Sequence, residues 1–213
     1  RHGIQNKIRY ISAPKVNKSE TETISAEDKA ILSSYLIDSD DPMDTGILMS
    51  LYTGMRIGEV CGLKWSDIDF NDGVIIVRRT VQRICDGHGS TVLLVGSPKT
   101  TGSCRIIPIP KLILNKLSKI SKVSDNNIIT ASKRYSEPQF LRKRFKEILV
   151  MCGIKNVKYH SLRHTFASDC VRLGFDIKAL SEILGHASTA MTLDRYAHTS
   201  LETKRMYMDR ISA

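Results

Sequence analysis

Apolar positions recur along this chain with two different periods, and the changes of period divide it into stretches. Residues 1–23 show little periodicity; they are polar and basic with one proline, and read as a linker or arm. A helical period begins after Ser25, which is placed to cap a helix whose first turn carries Glu27 and Asp28. Ile31, Leu32, Tyr35 and Leu36 then share one face, up to about position 37. Asp40-Asp41-Pro42 breaks the chain. A strongly apolar second helix is predicted over 43–52, ending at Thr53-Gly54, and a short third one over 57–63.

The period then drops to that of extended chain. Gly73-Val74-Ile75-Ile76-Val77 is rich in β-branched residues and predicts a strand, which 80–84 extends. A turn at Asp86-Gly87-His88-Gly89 leads to a second strand over 91–95. The tight turn Lys99-Thr100-Thr101-Gly102-Ser103 leads to a third over 105–109, where a proline favours an edge position. The expected sheet is thus a single one, of three short antiparallel strands joined by hairpins. From Pro110 onward the helical period returns, with helices predicted over 111–121, 137–151, 161–173, 176–185, 188–197 and 200–209. Gly153, Gly174 and Gly185 stand just past apolar-periodic segments, as helix-terminating glycines do. The predicted fold class is α+β, mainly α-helical with a small three-stranded antiparallel sheet.

Composition narrows the function classes. Of 213 residues 41% are hydrophobic and 25% charged, an ordinary globular balance. No apolar run approaches the ~20 residues a membrane helix needs, so no membrane partner is expected. Nor is there a secretory signal. The 32 Lys and Arg against 22 Asp and Glu leave a formal charge of +10, which favours the capture of polyanions. The five cysteines are odd in number and form no CxxC pair, so neither a disulfide framework nor a zinc site is indicated. Reduced thiols in a cytoplasmic protein account for them.

Four features carry candidate chemistry. Thr53-Gly54-Met55-Arg56-Ile57-Gly58-Glu59 places an arginine on a rigid helix junction with an acid one turn along; by itself this reads as a surface ion pair. Lys99 occupies a hairpin turn, where lysines are usually solvated. His160-Ser161-Leu162-Arg163-His164 puts a histidine and an arginine on one side of a helix start, since positions i and i+3 are neighbours. Backbone N–H groups, helix dipole and guanidinium all favour an anion there. Leu184-Gly185-His186 is followed ten positions later by Tyr196, a residue that alone is more often packing than catalysis.

Taken together, Arg56, Lys99, His160, Arg163, His186 and Tyr196 resemble, in order and spacing, the catalytic set of the tyrosine recombinases, the lambda-integrase family. TGMRIGEVCGLKWSDID, HSLRHTFAS, LSEILGHAS and TLDRYAH match the family's wording around those residues, over roughly residues 19–210. PKTTGSCRIIPIP and the tail look most like integrases of phages and conjugative transposons of Gram-positive bacteria. The resemblance implies the tyrosine-recombinase catalytic fold over 19–213, tail helix included, with 1–18 as the remnant of a linker from an absent N-terminal core-binding domain.

It also implies a reaction. Tyr196 attacks a DNA phosphodiester, a 3′-phosphotyrosyl bond forms and a 5′-hydroxyl leaves, so bond energy is kept and no ATP is needed. A phenol with a pKa of about 10 needs help at neutral pH, and His160 is the candidate for receiving its proton. Arg56 and Arg163 would grip the oxygens of the transition state with forks that lysine cannot reproduce. Lys99 resembles the family's general acid. His186 would bond a phosphate oxygen or position the nucleophile, and Glu59 would support the arginines. No cofactor and no metal is implied.

The implied partners are double-stranded DNA recombination sites, a homotetramer formed on DNA through the C-terminal tail, and excisionase or accessory DNA-bending proteins. The tail could equally pack in cis. Arg142, Lys143, Arg144 and Lys146 on one predicted helix, and Arg78, Arg79 and Arg83 on the first strand, are candidate DNA contacts, with a solvated basic face as the alternative. Two other readings stay open on sequence alone: a type IB topoisomerase, which shares the chemistry, and a DNA-binding regulator that has lost it.

Overall fold

The most apolar segment of the sequence becomes the axis of the fold. In a computed structural model that describes residues 22–87, 89–96, 104–120, 122–186, 188–190, 192 and 205, α2 (Pro42–Thr53) is buried continuously from Asp44 to Leu51. A helix that is closed to solvent on every side must have neighbours all round. These are α1 (Ala26–Asp38), α3 (Ile57–Cys61), α4 (Lys111–Ser118), α5 (Pro138–Met151) and α6 (His160–Arg172), with α7 (Ile177–Leu184) laid against α6. The core gathers Leu32, Leu36, Ile47, Leu48, Leu51, Phe145, Ile148 and Leu162, each essentially inaccessible. Each such side chain contributes about 1.5–3 kcal/mol on leaving water.

The polar groups that this burial traps are matched. Ser50 and the Tyr159 hydroxyl share a hydrogen bond of 2.7 Å, and the Thr53 hydroxyl donates to the Met49 carbonyl at 2.6 Å. Among the described residues no buried side-chain nitrogen or oxygen lacks a partner. Burial pushes the Cys61 and Cys170 thiols up to about 12, which keeps both protonated and unreactive.

Helix boundaries follow the expected signals with some corrections. Ser25 caps α1 by accepting from the Asp28 N–H at 3.0 Å. On α1 Leu32 and Leu36 face the core, but Ile31 is half exposed, so the buried stripe is narrower than predicted. Asp40-Asp41-Pro42 does not merely break the chain. Asp41 caps α2 and Pro42 opens it, where the missing N–H costs nothing. The fourth helix stops at Ser118 rather than 121. Gly153, Gly174 and Gly185 all take positive φ, as expected of helix terminators. Most of each of the predicted helices over 188–197 and 200–209 lies outside the described residues, as do residues 1–18.

The sheet is where expectation and structure part. There are two sheets among the described residues, not one. β1 (Ile68–Asp69), β2 (Val74–Val77) and β5 (Arg105–Pro108) form the first in that order, with Val77 opposite Arg105 and Val74 opposite Pro108. β3 (Thr80–Cys85) and β4 (Thr91–Gly96) form a separate hairpin that leans on α3 and α5. The break between β2 and β3 falls at Arg78-Arg79. There Arg79 turns aside to donate to the Gly62 carbonyl at 3.1 Å and to the buried Asp67 at 2.6 Å. The expected first strand is therefore cut in two, and the first and third predicted strands become direct neighbours. Pro108 does occupy an edge strand.

Candidate active site

The C-cap of α2 starts the site. Gly54 adopts a left-handed conformation (φ 65°, ψ 16°), which turns the chain sharply into α3. Two residues on, Arg56 is the N-cap of α3. Glu59, one turn later, accepts from the Arg56 backbone N–H at 2.8 Å and from its Nη1 at 3.0 Å. Arg56 Nη2 donates to the Gly185 carbonyl at 2.9 Å, and its side chain remains 39% exposed. The expected local pair is present, but it is tied to a residue more than a hundred positions away.

Glu59 has a second partner that sequence reading missed. Arg105, at the start of β5, donates from Nη1 to Glu59 Oε1 at 2.9 Å and from Nη2 to Oε2 at 2.8 Å. The carboxylate thus accepts four hydrogen bonds, about as many as its lone pairs allow. Burial alone would raise the Glu59 pKa. The bonds and charges of Arg105, with those of Arg56, outweigh that and hold it below its ordinary value. The signal for Arg105 was available: it is in phase with Ile107 on the inward face of its strand.

Arg163 completes the arrangement from α6. It is 3% exposed, and donates from Nη1 to the Gly54 carbonyl and from Nη2 to the Leu184 carbonyl, each at 2.8 Å. Arg105 Nε donates to the Ile183 carbonyl at 2.6 Å. Three successive carbonyls at the end of α7 — Ile183, Leu184 and Gly185 — are therefore each met by a different arginine. Helix ends leave such carbonyls unpaired and carry partial negative charge, so guanidinium groups are suited to them. Three cations against one carboxylate leave the cradle strongly positive.

The histidines stand beside this cradle. His160 opens α6 one turn before Arg163, is exposed, and meets the His164 ring edge-on at 4.5 Å between centroids. His186 follows the Gly185 cap of α7, and its Nδ1 lies 2.8 Å from the Thr192 hydroxyl. Lys99 and Tyr196 lie outside the described residues. Tyr159, which adjoins His160, is poorly suited to act as a nucleophile: burial pushes its pKa upward and its hydroxyl is bonded to Ser50.

Two clefts flank this region. One of about 410 Å³ has Met55, Phe145 and Val157 among its walls, with Lys146, Lys158 and Arg163 as cations and the His160 ring beside them. The other, of about 430 Å³, lies between Arg56, the β3 strand and Glu137. Ile57 and Arg142 line both. A larger cleft of about 730 Å³ lies across α1 and α6, where Lys29 pairs with Asp169; Arg172 lines it, and Arg56, Arg105 and Arg163 do not.

The candidate DNA contacts separate into two groups. Arg142, Lys143 and Lys146 are exposed on α5, and Arg78, exposed between β2 and β3, stands 3.8 Å from Asp67. Arg79 is engaged with Asp67, and Arg83 with Glu137. Arg144 turns inward, gripping the fully buried Asp44 through Nε and Nη2 at 2.7 Å each. It sits among the core positions Leu141, Phe145 and Ile148, whereas 142, 143 and 146 do not. Among the described residues no group of three or more His, Cys, Asp or Glu side chains is placed to hold a metal, and no helix is long and apolar enough to cross a membrane.

A family model described as "Phage integrase family" matches residues 15–203. The chain belongs to the phage integrase family. Among its relatives are the transposase from transposon Tn916 of Enterococcus faecalis, 30% identical over 78% of this chain and 44% of that protein, and the tyrosine recombinase XerA of Pyrococcus horikoshii, 28% identical over 96% and 65%. The chain thus spans 44% of the length of the Tn916 transposase and 65% of that of XerA. The fold agrees with that of the Tn1549 transposon integrase solved with transposon right end DNA: TM-score 0.74, 24% identity, 93% of this chain and 68% of that one. It also agrees with the catalytic domain of bacteriophage HP1 integrase: TM-score 0.59, 22% identity, 89% and 95%.

Proposed function

We propose that this chain is the catalytic domain of a site-specific DNA recombinase that integrates and excises a mobile element, cleaving and rejoining strands through a 3′-phosphotyrosyl intermediate. The observation that carries the reading is the convergence of Arg56 and Arg163 on adjacent carbonyls, those of Gly185 and Leu184. Two guanidinium groups held at one helix end, beside His160 and His186, form a preorganised site for a phosphoryl group whose charge grows in the transition state.

In this reaction the Tyr196 oxygen attacks phosphorus and its proton passes to His160. The bond from phosphorus to the 5′-oxygen breaks, and Lys99 protonates that oxygen as it leaves. The 5′-hydroxyl of another strand reverses the steps. Arg56 and Arg163 neutralise the equatorial oxygens, Glu59 supports them, and His186 bonds a phosphate oxygen or the nucleophile. The scheme draws on no ATP and no metal. Residues 19–213 form the catalytic unit, which acts on DNA in the bacterial cytoplasm, and the tail links protomers of a tetramer on the recombination site. Arg78, Arg142, Lys143 and Lys146 contact phosphates, which fix register without selecting sequence.

The test is a pool of nicked duplexes of random sequence incubated with the chain. A covalent protein–DNA adduct is expected, and sequencing the joined strand reads the cleavage site. Tyr196→Phe should bind the recovered duplex and form no adduct. An adduct formed by that variant would overturn the assignment.

A further inference from the structure

Arg105 has no part in the reaction just described, yet it shares the Glu59 carboxylate with Arg56. Its guanidinium faces inward, onto both oxygens of Glu59 and the Ile183 carbonyl. To reach DNA it would have to leave a carboxylate that is itself 3% exposed, which would strand a buried charge. Position adds to this. Arg105 opens β5, the strand that emerges from the segment carrying Lys99, and it touches the element that precedes His186.

Resting on the recombinase reading, we infer that Arg105 is a positioning residue: it aims the Arg56 guanidinium by clamping Glu59 against the end of α7, and does not itself touch the phosphate. The physical reason lies in the geometry of the carboxylate. Glu59 Oε1 receives both Arg56 Nη1 and Arg105 Nη1, and Oε2 receives both the Arg56 N–H and Arg105 Nη2. A carboxylate held on one side by a planar, two-pronged donor cannot rotate, so the donors on its other side inherit a fixed direction. The third prong, Nε on Ile183, sets that clamp relative to the neighbouring carbonyls that hold Arg163 and Arg56. A lysine would keep the charge but could not bridge both oxygens and the carbonyl at once.

The experiment is single-turnover cleavage of the duplex recovered from the random pool, with Arg105→Lys made alone and in an Arg56→Ala background. Thermal melting and DNA binding are measured alongside. Misplacing a transition-state contact by a fraction of an ångström predicts a loss on the order of 10- to 100-fold from Arg105→Lys alone, with DNA affinity unchanged. In the Arg56→Ala background the same substitution should change the rate by no more than about twofold, because the group through which it acts is gone. An equal loss in both backgrounds would make Arg105 merely structural and overturn the inference, as would a wild-type rate for Arg105→Lys. Should Arg105→Lys fail to fold, the neutral pair Glu59→Gln with Arg105→Met removes the stranded charge. It should fold and show the same loss, and wild-type cleavage by it would equally overturn the inference. Absence of any adduct from the wild-type chain would instead count against the recombinase reading itself.

Discussion

Arg163 reaches from α6 to the carbonyl oxygen of Gly54, 2.8 Å away, so the residue that ends α2 sets the position of a buried arginine 109 residues later. The contact depends on the left-handed turn of Gly54. A Cβ there would lie 2.5 Å from Phe166 Cδ1 and 2.9 Å from Leu184 Cδ2. The backbone conformation and the packing thus both select glycine.

Gly54→Ala should therefore destabilise the chain by about 2–4 kcal/mol, combining left-handed strain with overpacking. Urea denaturation measures this. A midpoint matching that of the wild type would show that the α2–α6 junction relaxes freely.

Arg163→Lys keeps the charge but cannot span the Gly54 and Leu184 carbonyls while presenting donors to a phosphate. Single-turnover cleavage should fall by about 10²–10³-fold, as for loss of one preorganised oxyanion donor. Near-normal cleavage would contradict the role given to the fork.

Glu59 makes a prediction about acid. Its folded pKa lies below the ordinary value of 4.5, so folding favours its charged form. That stabilisation is complete above pH 4.5 and is lost as the pH falls through the lower folded value. Glu59→Gln breaks a buried pair and should cost about 3–5 kcal/mol at neutral pH. The gap in melting temperature between the two proteins should narrow as the pH drops below 4.5, and a gap that stays constant or widens there would refute the assignment.

The two groups of basic residues on α5 predict opposite phenotypes. Arg144→Met leaves Asp44 buried without its cation and should cost about 3 kcal/mol of stability with little effect on DNA binding. Arg142→Ala and Lys146→Ala should leave stability within about 0.5 kcal/mol. Each should weaken DNA binding at low salt and reduce the slope of log affinity against log salt by about one. Unfolding curves and salt titrations of all three variants separate the cases.

Most helices were legible because their signals are local. Ser25, Gly54 and Gly185 act within one turn of themselves, and the apolar stripe of α5 repeats every three to four residues whatever surrounds it. The sheet was less legible. Strand pairing depends on which segments meet, and the turn of Arg79 toward Asp67, a contact across 12 positions, redirected it. Likewise the helical period puts Arg144 on the side of Leu141, Phe145 and Ile148 and Arg142 off it, but only the fold supplies Asp44, 100 positions away, as the partner of Arg144.

By itself the sequence determined the identity and order of the candidate groups: Arg56, Lys99, His160, Arg163, His186 and Tyr196 are recognisable from spacing and neighbouring wording. Only the tertiary structure decided how the three arginines are held. Arg56, Arg105 and Arg163 come from a helix junction, a strand and a second helix, and they meet at the last carbonyls of α7. That meeting is a matter of distance in space, set by packing around α2, and a guanidinium chooses its partner by direction and proximity rather than by position in the chain.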